Sequence, residues 1–275
     1  MNYCIQYSSM FKHFDDERIT EVMCHTDGEE VKEMKAFCEA FPDKTIVLHM
    51  DAGLDSITVY NILKLYESYQ NFKVLIYNKD RIRTFVKGHK NALEQLKEKG
   101  IPFFFNSYVS DWDELHMVAD LGASDVYVVE NLCFELDKVH EFAINRNLKV
   151  RVFPNVAQSK YKYDVRSFFI RPEDRELYDE YVDIYEFYRA EAQKNTDNTY
   201  FKVYADAAEW RGELDQLIIG LEDELDSRFV VPRFGDFRIK CGKRCLKGHP
   251  CKMCDRVKSL AETLETAGLT VRKEN

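Results

Sequence analysis

The sequence predicts an α/β protein built as a (β/α)8-type barrel, with a distorted or incomplete barrel as the alternative, and a C-terminal helical extension. Three observations carry that expectation. Short apolar runs rich in β-branched and aromatic residues recur along the first two thirds of the chain, as parallel strands covered on both faces do. Amphipathic helical stretches separate them, and alternation of this kind belongs to parallel α/β folds. The strand count reaches eight, which favours a closed barrel over an open sheet.

The elements follow in order. A short opening strand falls at about 3–8. The runs are Ile19–Thr26, Thr45–Met50, Lys73–Asn78, Pro102–Ser107, Asp125–Glu130, Lys149–Asn155, Ser167–Arg171 and Asp183–Tyr188. Tyr3–Ser8 competes with Ile19–Thr26 for the place of first strand, and the last two units are short. Helical patterns cover Glu29–Phe41, Ser56–Tyr69, Asn91–Lys99, Asp111–Leu121, Glu135–Asn145 and Pro172–Tyr181, with Pro42, Gly100 and Gly122 standing where helices should stop. The cadence ends after Arg189. We therefore expect a barrel over 1–190 and an extension over 191–275. The extension holds a polar stretch at Ala190–Asn198, an amphipathic helix at Glu209–Leu225 and a final helix from about Asp255 to Ala267.

The chain is long enough to bury a large core, and its 45% hydrophobic and 13% aromatic content excludes global disorder. No apolar run has the length of a membrane span, and the N-terminal residues lack a basic region followed by an apolar stretch. A cytoplasmic protein is the expectation. Cys4, Cys24, Cys38 and Cys133 lie in apolar patterns and are expected as reduced core residues.

The other four cysteines form the sharpest motif. Cys241 and Cys245 flank Gly-Lys-Arg, and Cys251 and Cys254 flank Lys-Met, with Gly248 and Pro250 between the pairs. Two close pairs joined by a short loop can bring four thiolates to one ion. Reduced thiols or two disulfides are the plain alternatives. Zinc and a 4Fe–4S cluster both accept four thiolates, and ferredoxin spacings are not reproduced. Zinc is slightly favoured.

Charge adds a second signal. The net charge is −9, yet residues 228–258 carry ten Lys or Arg against two acids, Asp236 and Asp255. A basic segment around a metal knuckle can hold a polyanion, RNA above all, with Lys243, Arg244, Lys247 and Lys252 as the expected contacts. Docking of this segment on the acidic body of its own chain is the alternative.

In a barrel the C-terminal ends of the strands surround the active site. Those ends carry His25, His49 with Asp51, Asn78, Asn106, Glu130 with Asn131, Asn155 with Gln158, Arg171 and Glu186. His49 stands one step inside its strand end, where a histidine oriented by Asp51 can act as a general base. Glu130 closes its strand likewise; facing Arg171 it would form an ion pair, and facing an open mouth it could move protons. The candidate catalytic set is therefore His49, Asp51, Glu130 and Arg171. No Gly-rich phosphate loop, nucleophile elbow or HExxH is present.

Two consecutive units, GIPFFFNSYVSDWDELHMVADLGASDVYVVENL and CFELDKVHEFAINRNLKVRVFPNVA, resemble the barrel core of the collagenase-like peptidase family. The similarity covers about 100–157. It implies a TIM-like barrel in a family with members that hydroxylate RNA or support ubiquinone hydroxylation using a four-cysteine iron–sulfur cluster. In that family the cluster cysteines generally begin after the sixth strand, whereas here PNVAQSKYKY has none. The zinc site of tRNA-guanine transglycosylases shares only the placement after the last strand. An enzyme of nucleic-acid modification or hydroxylation type is the functional expectation. Its rival is a non-catalytic barrel that binds or assembles through the basic knuckle.

Overall fold

The computed structural model describes residues 2–7, 11–78, 82–109, 111–128, 132, 136–152, 230–234, 264, 269 and 272–273. Among them lie eleven strands and five helices. The strands are β1 (Tyr3–Gln6), β2 (Phe11–His13), β3 (Ile19–Thr26), β4 (Thr45–Met50), β5 (Phe72–Ile76), β6 (Phe103–Phe105), β7 (Tyr108–Val109), β8 (Asp125–Val128), β9 (Lys149–Val152), β10 (Val230–Phe234) and β11 (Arg272–Lys273). The helices are α1 (Val31–Ala40), α2 (Ser56–Tyr66), α3 (Ile82–Glu98), α4 (Trp112–Asp120) and α5 (Leu136–Arg146). No helix among the described residues is long and apolar enough to cross a membrane.

Local chemistry accounts for the element ends. Asp55 and Asp111 accept hydrogen bonds from the backbone N–H groups of Thr58 and Glu114 at 2.7 and 2.8 Å, capping α2 and α4. Gly100 and Gly122 take φ of 70° and 83° just past α3 and α4. The amides of Ile101 and Ala123 then turn back to the carbonyls of Leu96 and Val118. Helix α3 starts nine residues before the expected Asn91. It runs through a break at His89 (φ −123°, ψ 21°), next to Gly88, and buries Ile82, Phe85, Leu93 and Leu96. Glycine and a run of basic residues weaken the local helix signal there; tertiary burial overrides it.

The main sheet has the order β6-β5-β4-β3-β1-β10-β9-β8-β7. Its pairings are parallel throughout. A separate antiparallel ribbon joins β2 to β11. Both candidates for the opening strand are present, and they pair with each other.

The expected strands Ser167–Arg171 and Asp183–Tyr188 and the boundary at 190 lie outside the described residues. The sheet position between β9 and β1 is held by Val230–Phe234, a segment that the sequence assigned to the extension. Pro232 argues against a central strand there, because it offers no N–H. The pairing with β1 begins one residue later, Cys4 opposite Arg233, so that edge does not draw on the proline.

Alternation splits each strand between two environments. One face of the sheet packs against the helices: Val22 and Cys24, Ile46 and Leu48, Val74 and Ile76, and Phe103 and Phe105 join Phe37, Ile62, Leu96 and Leu115 in one apolar core. The opposite face carries Glu21, Met23 and His25 on β3, Val47 and His49 on β4, and Lys73 and Leu75 on β5. Phe104, Asp125, Tyr127 and Arg151 continue it, and all of these side chains are buried. A sheet buried on both faces is what its nearly continuous apolar runs require.

Candidate functional site

The face of the sheet opposite the helices is layered along the strand direction. Near the strand starts, Glu21, Lys73, Asp125 and Arg151 form one buried ionic cluster. Lys73 Nζ lies 2.9 Å from Glu21 and 3.1 Å from Asp125. Arg151 donates to Asp125 from Nε at 2.9 Å and from Nη2 at 2.7 Å, and also to Glu21. Its guanidinium lies 4.4 Å from the centre of the Phe104 ring. Two buried acids balance two buried bases, and the part-exposed Lys149 adds a longer contact to Glu21 at 3.9 Å.

That balance decides the protonation states. Burial pushes the Glu21 carboxyl up, but Arg151 and then Lys73 outweigh it and hold Glu21 below its ordinary value. Burial acts on Asp125 in the same sense; Arg151, Lys73 and the Ser124 hydroxyl hold it well below the usual carboxylate range. Lys73 is raised, the attraction of Asp125 and Glu21 exceeding the cost of burying its ammonium.

Above this cluster comes an apolar layer of Met23, Val47, Leu75, Phe104 and Tyr127. At the C-terminal ends the polar character returns as two imidazoles and a carboxylate. His25 and His49 are register partners on β3 and β4, both 4% exposed, with ring centres 4.4 Å apart. Asp51 follows β4 by one residue, and its amide donates to the Thr26 carbonyl at 2.8 Å, which ties it to the end of β3. Its Oδ1 lies 3.0 Å from His25 Nδ1 and 2.9 Å from His49 Nδ1, and the two Nδ1 atoms are 2.9 Å apart. Asp51 keeps 22% of its side chain exposed, so the trio is open on that side.

The surrounding loops hold these ends in place. Thr26 donates to Glu33 at 2.8 Å and accepts from the Gly28 amide at 3.1 Å. Asn61 of α2 donates to the carbonyls of Gly28 and Glu29 at 2.9 and 2.8 Å. Gly28 has φ 79°, and a Cβ there would meet Thr58 Cγ2 at 2.8 Å, so only glycine lets the loop lie this close to α2. Across the same end of the sheet, the Asn78 amide donates to the Asn106 side chain at 2.9 Å.

Of the residues expected at the site, the structure places His49 and Asp51 side by side, with His25 next to both. Glu130 and Arg171 lie outside the described residues, as do Cys241, Cys245, Cys251, Cys254, Lys243, Arg244, Lys247 and Lys252. Of the cysteines expected as reduced core residues, Cys4, Cys24 and Cys38 are buried and in no disulfide, and Cys133 lies outside the described residues. Burial pushes the Cys38 thiol up to about 12, so it stays protonated.

The ionic cluster was not anticipated from the sequence. Glu21, Lys73 and Arg151 interrupt apolar runs, and that interruption is the signal that could have pointed inward. The convergent trio offers proton transfer at His49, steadied by Asp51, or three donors to one cation. No protein-family model matches the chain, and a search of curated proteins gives no significant match.

Proposed function

We propose that the sheet closes as a (β/α)8-type barrel and that the chain is an enzyme whose reactive centre is the His25–His49–Asp51 trio. Closure is supported at two places. Strands β6 and β7, at opposite ends of the sheet order, are separated in the chain only by Asn106 and Ser107. Lys73 on β5 pairs directly with Asp125 on β8, although six strand spacings part them in the sheet order. In a flat sheet that separation would be about 29 Å.

The observation that carries the functional reading is where the trio stands. Three titratable side chains from two adjacent strands meet at the C-terminal ends, the face on which barrel enzymes do their chemistry. His49 is the proton carrier, Asp51 fixes its orientation, and the exposed side of Asp51 is where substrate meets the site. Glu130 and Arg171 complete the pocket in this proposal.

The substrate class we propose is RNA, with modification or hydroxylation as the reaction type. It is supported by the ten basic residues of 228–258 and by the resemblance over about 100–157. Cys241, Cys245, Cys251 and Cys254 would form the metal knuckle that presents this segment, with zinc slightly favoured over a 4Fe–4S cluster. Metal analysis of fresh reduced protein tests the knuckle, and an anaerobic absorption spectrum distinguishes the two cofactors. The buried free thiols fit the reducing cytoplasm that the proposal assumes.

The activity test incubates the protein with total RNA from cells lacking it, followed by mass spectrometry of the nucleosides. A nucleoside altered by the wild type and untouched by His49→Gln is the expected result. An unchanged nucleoside profile would end the RNA-enzyme reading and favour a non-catalytic binding module.

A further inference from the structure

We infer that His25, His49 and Asp51 are a facial ligand set for one divalent first-row transition-metal ion of octahedral preference, in the ferrous or manganous class. This rests on the reaction centre proposed above and gives the His49 Nδ1 lone pair to an ion in place of a proton; it is separate from the thiolate knuckle.

The first argument is the shape of the donor triangle. Its edges are 2.9, 2.9 and 3.0 Å, running Nδ1 to Nδ1 and each Nδ1 to Asp51 Oδ1. Donors that sit cis around an octahedral ion at about 2.1 Å are separated by about 3.0 Å, the bond length times the square root of two. Tetrahedral zinc at about 2.0–2.1 Å spreads its ligands to about 3.3–3.4 Å. The triangle has the octahedral edge.

The second argument concerns protons. An imidazole nitrogen has one in-plane position, filled by either a proton or a lone pair. If both Nδ1 atoms carry protons directed at Asp51, two N–H groups face each other across 2.9 Å. If one carries the proton, the other turns its lone pair toward an ionised carboxylate. If neither does, three lone pairs converge. With Asp51 ionised, every protonation state leaves at least one edge repulsive, whereas a cation at the centre makes all three donors favourable together.

Ligand chemistry and setting agree. Two imidazoles and one carboxylate with open positions are the donor set of mononuclear non-haem iron sites. The histidines are held by the register of β3 and β4, and Asp51 by the hydrogen bond its backbone N–H donates to the Thr26 carbonyl, so the donors are already gathered. The exposed side of Asp51 leaves room for water or substrate to fill the remaining positions. The buried cations Lys73 and Arg151 are engaged by Glu21 and Asp125 near the strand starts and do not oppose an ion at this end.

The test uses full-length protein stripped with a chelator and titrated with Mn(II), a probe that thiolate sites do not favour. Loss of the free-ion electron paramagnetic resonance signal should report one bound equivalent. Water-proton relaxation should rise on binding, because a three-ligand site leaves coordinated water. Asp51→Asn and His25→Ala should each weaken binding by more than about 100-fold, the upper cost of losing even an outer partner of a ligand. Circular dichroism checks that each variant folds, and the relaxation measurement needs only the wild type. Failure of the wild type to retain Mn(II), equal retention by the folded variants, or bound Mn(II) without relaxation enhancement would overturn the site. Binding is read without turnover. Bound Mn(II) with an unchanged nucleoside profile would remove the RNA reading alone, and an altered profile without metal binding would leave proton transfer at His49.

Discussion

The two ends of one sheet interior handle charge in opposite ways. Near the strand starts, Glu21, Lys73, Asp125 and Arg151 are buried and neutralise one another through direct contacts. At the strand ends, His25, His49 and Asp51 crowd three donor atoms together, with the Asp51 side open. The first set engages both of its carboxylates in ion pairs, although Arg151 Nη1 stays buried without a hydrogen-bond partner. The second set holds a part-exposed carboxylate beside two imidazoles, and so has donors to offer a ligand. Burial and polarity alone would mark both clusters as candidate sites, and stoichiometry of charge separates them.

The largest expected effect breaks the closed end. Arg151→Met leaves two buried carboxylates sharing Lys73, and removing one partner of a buried ion pair costs about 3–5 kcal/mol. Urea unfolding should show that loss. A change below about 1 kcal/mol would mean that the cluster is wetter or looser than its contacts imply.

Acid should act on the same end. Glu21 and Asp125 have folded-state values below their ordinary 4.5 and 3.8, so the folded protein resists protonation. Their contribution is fully present above about 4.5 and is lost progressively as pH falls below those ordinary values toward the depressed folded ones. Lys73 has the reverse sign. Its raised value contributes below the ordinary 10.5 and is lost as pH rises through the folded value. Unfolding free energy measured against pH should therefore carry an acid limb that is shallower in Glu21→Gln.

A smaller effect is expected at the loop that braces the open end. Gly28→Ala places a Cβ 2.8 Å from Thr58 Cγ2 at a φ of 79°. The left-handed conformation alone costs an L-residue about 1–2 kcal/mol, and thermal unfolding should register it.

The smallest stability effect should come from the trio itself. In metal-free protein Asp51→Asn should move the unfolding free energy by less than about 1 kcal/mol, since the residue is part-exposed and the change is isosteric. The proposed activity on RNA should fall by about 100-fold or more, the usual worth of positioned acid–base chemistry. A large stability loss with activity retained would make the open end structural and erase the contrast.

Much of the α/β alternation was legible locally. Ile19–Thr26 and Thr45–Met50 are strands with the same bounds that the apolar runs suggested, because a strand buried on both faces needs little beyond an uninterrupted apolar segment. Helix ends at Gly100 and Gly122 were legible for the same reason, since positive φ is a local demand. His49 and Asp51 could be paired from the sequence because they are two residues apart at one strand end.

Local sequence therefore carried most element types, the glycine helix ends and the polar character of strand ends, but not the first half of α3. Tertiary structure alone decided the remainder. Val230–Phe234 enters the sheet beside Cys4 and Ile5, more than two hundred residues away, and no local signal encodes that partner. Glu21 meets Arg151 only because tertiary packing brings β3 and β9 together on one face of the sheet. His25 and His49 become a pair only through the register of two parallel strands, which must be joined by a crossover that separates partners in sequence. Local propensity is a property of neighbouring residues, whereas charge compensation and donor convergence are properties of distance in space, and parallel sheets keep the two apart.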